Sequence, residues 1–179
     1  LAGDIFDRDM AFAETEEALC AAIAEMAVPV VISPGNHDYY ATGGRWDRLR
    51  LPPNAYIFKN RRLECLELPS LGARVYGAAF TDSYCEPLLR GFHAPREEGV
   101  LNIMCVHGDV GVQASRYNAI YEADIGESGM DYVALGHVHA FSGERRAGRV
   151  PYAWPGCPEG RGYDECGVKG VIMADVGVQ

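Results

Sequence analysis

The chain has 179 residues and a formal net charge of −9, from 25 acidic and 16 basic side chains. This length is enough for a sizeable core, so we expect residues 1–179 to fold as a single domain. No segment approaches the roughly 18 consecutive apolar residues that a membrane span needs, and the acidic balance disfavours a broad nucleic-acid-binding face, which is usually basic.

The predicted elements begin with a strand, a helix and a second strand. The spacing of apolar residues predicts a helix over 13–26, and the continuous β-branched run at 28–33 predicts a strand buried on both faces. Because Leu1 and Ala2 resemble the end of an earlier strand, this order predicts a βαβ unit with a parallel strand pair. Further strands are predicted at 56–58, 63–68, 74–79, 101–106, 132–135, around Phe141, at 150–152 and at 171–176, with a helix over 117–123.

Metal-binding residue types gather after the predicted strands. Four of the five histidines come directly after an apolar run. Open α/β sheets bind ligands at the carboxyl ends of their strands, because the loops there converge over one edge. The residues at these positions are Asp4, Asp7, Asn36, His37, His107, His137 and His139.

Each of these residues alone has an ordinary structural explanation. A single histidine after a strand is more often hydrogen-bonded than metal-bound, and Asp4 and Asp7 are also typical of turns or helix caps. His137 and His139 are a stronger signal, because alternate residues of an extended segment face the same way. The gathering of all these groups at strand ends favours one shared site, whereas His93 is predicted to lie in a surface loop.

The residue types indicate which ion they would bind. Imidazole, carboxylate and amide groups together suit borderline divalent metals, Mn²⁺ first, with Fe²⁺ or Zn²⁺ as alternatives. Two such ions about 3.5–4 Å apart activate water and stabilise both oxygens of a phosphoryl displacement. These residue types would therefore suit divalent metal ions as cofactors, and a pair of such ions would suit a phosphoester as substrate.

Four motifs resemble those of the calcineurin-like metallophosphoesterase superfamily. They are Gly3-Asp4-Ile5-Phe6-Asp7, Gly35-Asn36-His37-Asp38, His107-Gly108 and Gly136-His137-Val138-His139, in the family's order. The resemblance implies an α/β fold, a four-layer α/β/β/α sandwich with two mixed β-sheets, and metal-dependent hydrolysis of phosphate esters. The family's first motif, D-x-H, does not precede Asp4, so the family's first strand is lacking here and we expect a segment carrying it before Leu1.

The resemblance also implies a division of the metal ligands between two ions. Asp4 would bridge both ions. Asn36, His107 and His137 would hold one ion, and His139 would belong to the other.

The same resemblance implies the catalytic roles. His37 would not bind metal but would stand beside the scissile phosphate, where it stabilises the transition state or protonates the leaving oxygen. Asp7 would orient the His37 ring, and Arg8 would contact the phosphate.

Three functions remain open. Residues 155–171 resemble the closing region of bacterial DNA-repair-exonuclease-like members, which favours a nuclease acting on DNA, although the net charge of −9 counts against it. A small-molecule phosphodiesterase or phosphatase needs only a pocket. A non-catalytic scaffold with an incomplete metal site is the third hypothesis, but it has no need for His37 and Asp7.

The six cysteines show no C-x-x-C spacing, and several lie in apolar runs. We therefore expect small buried side chains in a reducing, cytoplasmic compartment rather than a zinc–thiolate site. The sequence predicts neither protein partners nor an oligomeric state.

Overall fold

The computed structural model describes residues 1–7, 13–163 and 165–177. The helices are α1 (Ala13–Met26), α2 (Arg45–Arg48) and α3 (Glu122–Glu127), with a 3-10 turn at Pro69–Leu71. The strands are β1 (Val30–Ile32), β2 (Ala55–Ile57), β3 (Glu64–Leu68), β4 (Ala73–Gly77), β5 (Leu101–His107), β6 (Tyr132–Gly136), β7 (Arg145–Ala147) and β8 (Val150–Ala153). Within these described ranges, no helix is both long and apolar enough to cross a membrane.

The strands form two sheets. The larger sheet has six strands in the order β3-β4-β5-β6-β8-β7 and is mixed, because β3 and β7 pair antiparallel at its edges while the inner strands run parallel. The smaller sheet is a parallel pair of β1 and β2. The amino group of Leu1 donates to the Val31 carbonyl at 2.7 Å, and the Leu1 carbonyl accepts from the Ser33 amide at 2.9 Å. This is the bonding pattern of a parallel ladder, and it places Leu1 beside β1, where the predicted βαβ order would put the preceding strand.

Three apolar clusters separate four layers. The first packs Ile23 of α1 against Ile32 of the smaller sheet. Consecutive residues of a strand point to opposite faces, so Cys105 of β5 packs between the two sheets while Met104 packs with Ile125 of α3 on the outer face. The order helix, sheet, sheet, helix is the sandwich that the resemblance implies.

One predicted helix begins later than the sequence pattern suggests. Residues 117–121 are not helical, and α3 starts only at Glu122. Tyr117 instead forms a parallel bridge with Cys85. Asn118 has a φ of 53°, outside the right-handed helical region. Backbone bonds to a remote segment therefore replaced the local helical preference.

Other local predictions were also wrong. No strand forms at Phe141 or over 171–176 within the described residues, where Val171 and Met173 are largely exposed. A strand needs a partner for its backbone groups, and the described chain pairs β7 with β8 instead.

The cysteines are unpaired, but not all of them are buried. Cys85 and Cys105 are buried as predicted, whereas Cys65 and Cys166 are exposed. Cys65 lies on β3, which forms one edge of the larger sheet. The expectation of uniformly buried cysteines was therefore wrong, because it took the apolar neighbours of a residue as evidence of its own burial.

Replacing Leu135 with Ala should destabilise the fold strongly. Leu135 lies in β6 with 0% of its surface exposed, so truncation leaves a cavity that costs about 2–5 kcal/mol of unfolding free energy. Urea denaturation measures this loss. Leu71→Ala is the control, since Leu71 is 57% exposed, and a comparable loss in both variants would contradict the assigned core.

Candidate metal centre

The parallel register of β5 and β6 places two histidines at one edge of the larger sheet. His107, the last residue of β5, pairs with Gly136, the last residue of β6, so that His137 follows beside it. The loop after β1 reaches the same edge, where the Ser33 hydroxyl oxygen lies 2.7 Å from the carbonyl oxygen of Cys105. Segments that are remote in sequence therefore meet at the strand ends.

Two glycines let the loops at this edge approach closely. A Cβ atom on Gly35 would lie 2.3 Å from Oδ1 of Asp4, and a Cβ atom on Gly136 would lie 1.9 Å from the carbonyl oxygen of Ala2. Both distances are far inside van der Waals contact. Any side chain at either position would displace the amino-terminal loop.

The structure brings four of the predicted metal ligands together. Asn36 Oδ1 lies 2.9 Å from His107 Nε2 and 3.1 Å from His137 Nδ1. His107 Nε2 also lies 3.1 Å from Asp4 Oδ2. Ligand atoms of Asp4, His107 and His137 all lie within 4.8 Å of one another, a spacing that suits ligands around one ion.

The hydrogen bonds around this group leave acceptor atoms facing inward. His107 Nδ1 lies 2.8 Å from the Ala2 carbonyl oxygen, which can only accept, so the neutral ring presents a lone pair at Nε2. Asp4 Oδ1 accepts the His37 backbone amide at 2.8 Å, which leaves Oδ2 for the centre. Acceptors that face one another without a donor are unfavourable when removed from water. The group therefore fits a divalent cation, which satisfies all of these acceptors at once.

His139, the fifth predicted ligand, lies in a second group with Cys157 and Glu165. Nδ1 of His139 is hydrogen-bonded to Glu165 Oε1 at 2.5 Å, and the three side chains present ligand atoms within 4.8 Å of one another. Asp4, His137, His139 and Cys157 line one cavity of about 380 Å³. A carboxylate on one ring nitrogen is the usual support of a metal-binding histidine, and it leaves Nε2 of His139 available.

His37 and Asp7 form the predicted pair beside this centre. His37 Nδ1 lies 3.1 Å from Asp7 Oδ1, with the imidazole half exposed. The second carboxylate oxygen, Oδ2, accepts from Arg161 Nη1 at 2.9 Å. Arg8, the predicted phosphate contact, lies outside the described residues.

The sequence assigned no role to Asp38, which is buried beneath the site. Its carboxylate accepts the backbone N–H groups of Gly35 at 2.7 Å, Ile5 at 2.9 Å, Asp4 at 3.1 Å and Phe6 at 3.3 Å. These bonds hold the amino-terminal loop on the loop after β1. Its place in the Gly-Asn-His-Asp motif was the signal that could have identified it.

Three more contacts to the site were missed by the sequence reasoning. Asp109 Oδ1 lies 3.4 Å from His137 Nε2, whereas the other ring nitrogen, Nδ1, faces Asn36. Its position directly after His107-Gly108 was an available signal. Glu165 and Arg161 come from the carboxyl-terminal tail, where the available signal was the resemblance of residues 155–171 to the closing region of DNA-repair-exonuclease-like proteins.

The electrostatics of the centre favour the protonation states that bind cations. Burial raises the pKa of Asp4, but the hydrogen bond and charge that His107 supplies when it is protonated outweigh burial, so the pKa of Asp4 lies below its usual value. Burial and the charge of protonated His107 lower the pKa of His137. Burial raises the pKa of Asp38, and the negative charge of Asp4 adds to this effect, while the Gly35 amide opposes it. An ionised Asp4 and a neutral His137 are the forms in which these residues bind metal.

Two of the gathered residues have a strained backbone. The φ angles of Asp4 and His137 are 53° and 93°. Such positive values cost non-glycine residues on the order of 1–3 kcal/mol and persist only where the surroundings hold them. Strain of this kind concentrates at functional sites.

Comparison with known proteins identifies the class. The calcineurin-like phosphoesterase family matches residues 1–141, and the chain belongs to this family. Its members hydrolyse phosphoester bonds in a metal-dependent reaction and typically bind two divalent metal ions. The chain is therefore a member of a family of hydrolases that act on phosphoester bonds.

A curated relative supports the same class. It is the "uncharacterized metallophosphoesterase YhaO" of Bacillus subtilis (strain 168), with 29% identity over 98% of this chain and 44% of its own length. The chain thus spans less than half the length of this relative.

Replacing Asp38 with Asn should destabilise the protein, because an amide nitrogen would face backbone N–H groups where a carboxylate oxygen now accepts. We expect the unfolding free energy to fall by about 1–3 kcal/mol, measured by urea denaturation of metal-free protein. Asp175→Asn, in the exposed tail, is the matched control and should change stability by less than about 0.5 kcal/mol. Equal stability of D38N and the unchanged protein would show that Asp38 does not hold the loops.

Proposed function

We propose that this protein is a two-metal phosphodiesterase that cleaves DNA as an exonuclease-like enzyme. The observation that carries the proposal is the convergence of inward-facing acceptors from Asp4, Asn36, His107 and His137 beside the His37 ring. Membership of the phosphoesterase family supports phosphoester hydrolysis as the chemistry of this centre.

We assign the metal ligands as follows. Asn36, His107 and His137 hold one ion, His139 holds the other, and Asp4 bridges the two. Mn²⁺ is the ion we expect first, with Fe²⁺ or Zn²⁺ as alternatives, because the ligands combine imidazole nitrogen with carboxylate and amide oxygen. When bound, the two ions activate water and stabilise negative charge on the phosphoryl oxygens.

His37 is the proposed proton donor to the leaving oxygen. Its Nδ1 is held by Asp7 at 3.1 Å, so Nε2 is the atom that would deliver the proton. Donation at this point means that the leaving group departs as an alcohol rather than as a strongly basic alkoxide. Arg8, which directly follows Asp7 in the sequence, would contact the phosphate.

DNA is the proposed substrate because residues 155–171, which include Glu165 of the His139 group, resemble the closing region of DNA-repair-exonuclease-like proteins. A small phosphodiester is the second candidate, favoured by the net charge of −9, which opposes the approach of a polyanion. The six unpaired cysteines support a cytoplasmic location.

Two variants should separate the proton donor from the metal ligands. His37→Ala should lower kcat by about 10²–10⁴-fold, the usual contribution of acid–base catalysis, with little change in metal content. Asp4→Asn should lower metal content as well as activity, because the bridge loses its charge. Steady-state kinetics and elemental analysis measure both effects, with the exposed His93→Ala as control. Loss of metal in H37A would mean that His37 is a ligand.

The substrate is tested with Mn²⁺-loaded protein on linear DNA and on bis-p-nitrophenyl phosphate. Release of nucleotides from DNA, abolished by H37A, would support the exonuclease-like activity. Turnover of the small ester alone would favour the small-molecule phosphodiesterase. Stoichiometric metal binding without turnover of either substrate would overturn the enzymatic proposal and leave the scaffold hypothesis.

A further inference from the structure

The carboxyl-terminal tail contacts both halves of the site. We define the tail segment as residues 155–163 and 165–169. It supplies Glu165 to the ring of His139 and Arg161 to the carboxylate of Asp7. Since Asp7 holds His37, the tail segment reaches the proposed proton donor and the proposed metal ligand at once.

One residue of this segment lies between the two pairs. The Arg161 guanidinium donates through Nη1 to Asp7 Oδ2 at 2.9 Å, and the Arg161 backbone amide donates to Glu165 Oε2 at 2.8 Å. Each carboxylate therefore uses one oxygen for a histidine and the other for Arg161.

We propose that Arg161 is a positioning residue that couples the His37–Asp7 pair to the His139–Glu165 pair. This inference rests on the proposed role of His37 as proton donor. A carboxylate held at both oxygens cannot rotate about its terminal bond, so the ring nitrogen that it contacts keeps one direction. Through Asp7, Arg161 fixes where the proton of His37 is delivered.

The exposure of Arg161 determines what its contact with Asp7 contributes. Arg161 is 72% exposed at its side chain, so its ion pair with Asp7 contributes little to global stability. Its value lies in geometry, because a proton donor displaced by about 1 Å can lose on the order of 10²-fold in rate. A loss confined to catalysis is therefore the expected signature.

Arg161→Gln removes the side-chain contact to Asp7 but keeps the backbone amide that reaches Glu165. Diphenyl phosphate and bis-p-nitrophenyl phosphate have similar shapes, but the phenolate leaving group is the stronger base and depends more on a proton donor. R161Q should lower kcat on diphenyl phosphate by about tenfold, with a much smaller loss on the nitrophenyl ester. KM and metal content should stay nearly unchanged, and Arg161→Lys should recover part of the loss, because it keeps the charge without the planar fork.

Arg96→Gln is the matched control. Arg96 is also exposed, at 58%, and pairs with Asp131, but this pair lies at the opposite end of β6 from His137. R96Q should leave the ratio of the two kcat values unchanged.

A second measurement does not use catalysis. In metal-free protein, R161Q should accelerate hydrogen exchange of tail-segment amides by about tenfold, because the segment loses its anchor on Asp7. Exchange in β5 and β6 should not change.

The outcomes separate this inference from the proposed function. If H37A shows the leaving-group dependence and R161Q does not, Arg161 is not a positioning residue, while the role of His37 stands. If metal-loaded protein turns over neither of the esters nor linear DNA, the proposed function fails, and hydrogen exchange decides the structural coupling. Unchanged exchange in R161Q would overturn that coupling.

Discussion

The buried carboxylate of Asp38 is the contact on which the position of the site depends. It collects backbone N–H groups from the amino-terminal loop and from the loop after β1. Breaking these bonds would leave several donors unsatisfied away from water, which is costly. The same bonds place Asp4 where its carboxylate accepts the His37 amide. The Asp38 side chain thereby fixes the positions of both the proposed bridging ligand, Asp4, and the backbone of the proposed proton donor, His37.

The centre concentrates groups that are unfavourable together in the absence of a cation. Inward-facing acceptors lie about 3 Å apart, His107 is almost fully buried, and Asp4 and His137 have positive φ angles. Rigid strand ends and the Asp38 hydrogen bonds hold this arrangement. A bound cation turns mutual repulsion of the acceptors into attraction, so metal binding and folding stability are linked. Binding of a divalent cation would therefore increase the free energy of unfolding.

Much of the fold follows from local patterns. The helix predicted over 13–26 is α1 with the same bounds, because apolar spacing along a helix is a local property of the sequence. The predicted strands at 101–106 and 132–135 are β5 and β6 with one residue more each. The prediction of a helix was wrong for residues 117–121, because this segment is bonded to remote parts of the chain. The prediction of a strand over 171–176 was wrong, because this segment has no strand partner among the described residues.

For the site, local patterns are enough to predict the candidate side chains, because Asp4, Asn36 and four of the histidines follow apolar runs whatever the strand order. Which of them meet depends on how the strands are arranged in the folded chain. The register of β5 with β6 joins His107 to His137, whereas His139 pairs with Glu165 from the tail. Arg161 lies 154 residues from the carboxylate that it holds. Strand order and register arise from packing between distant segments, and no local pattern encodes them.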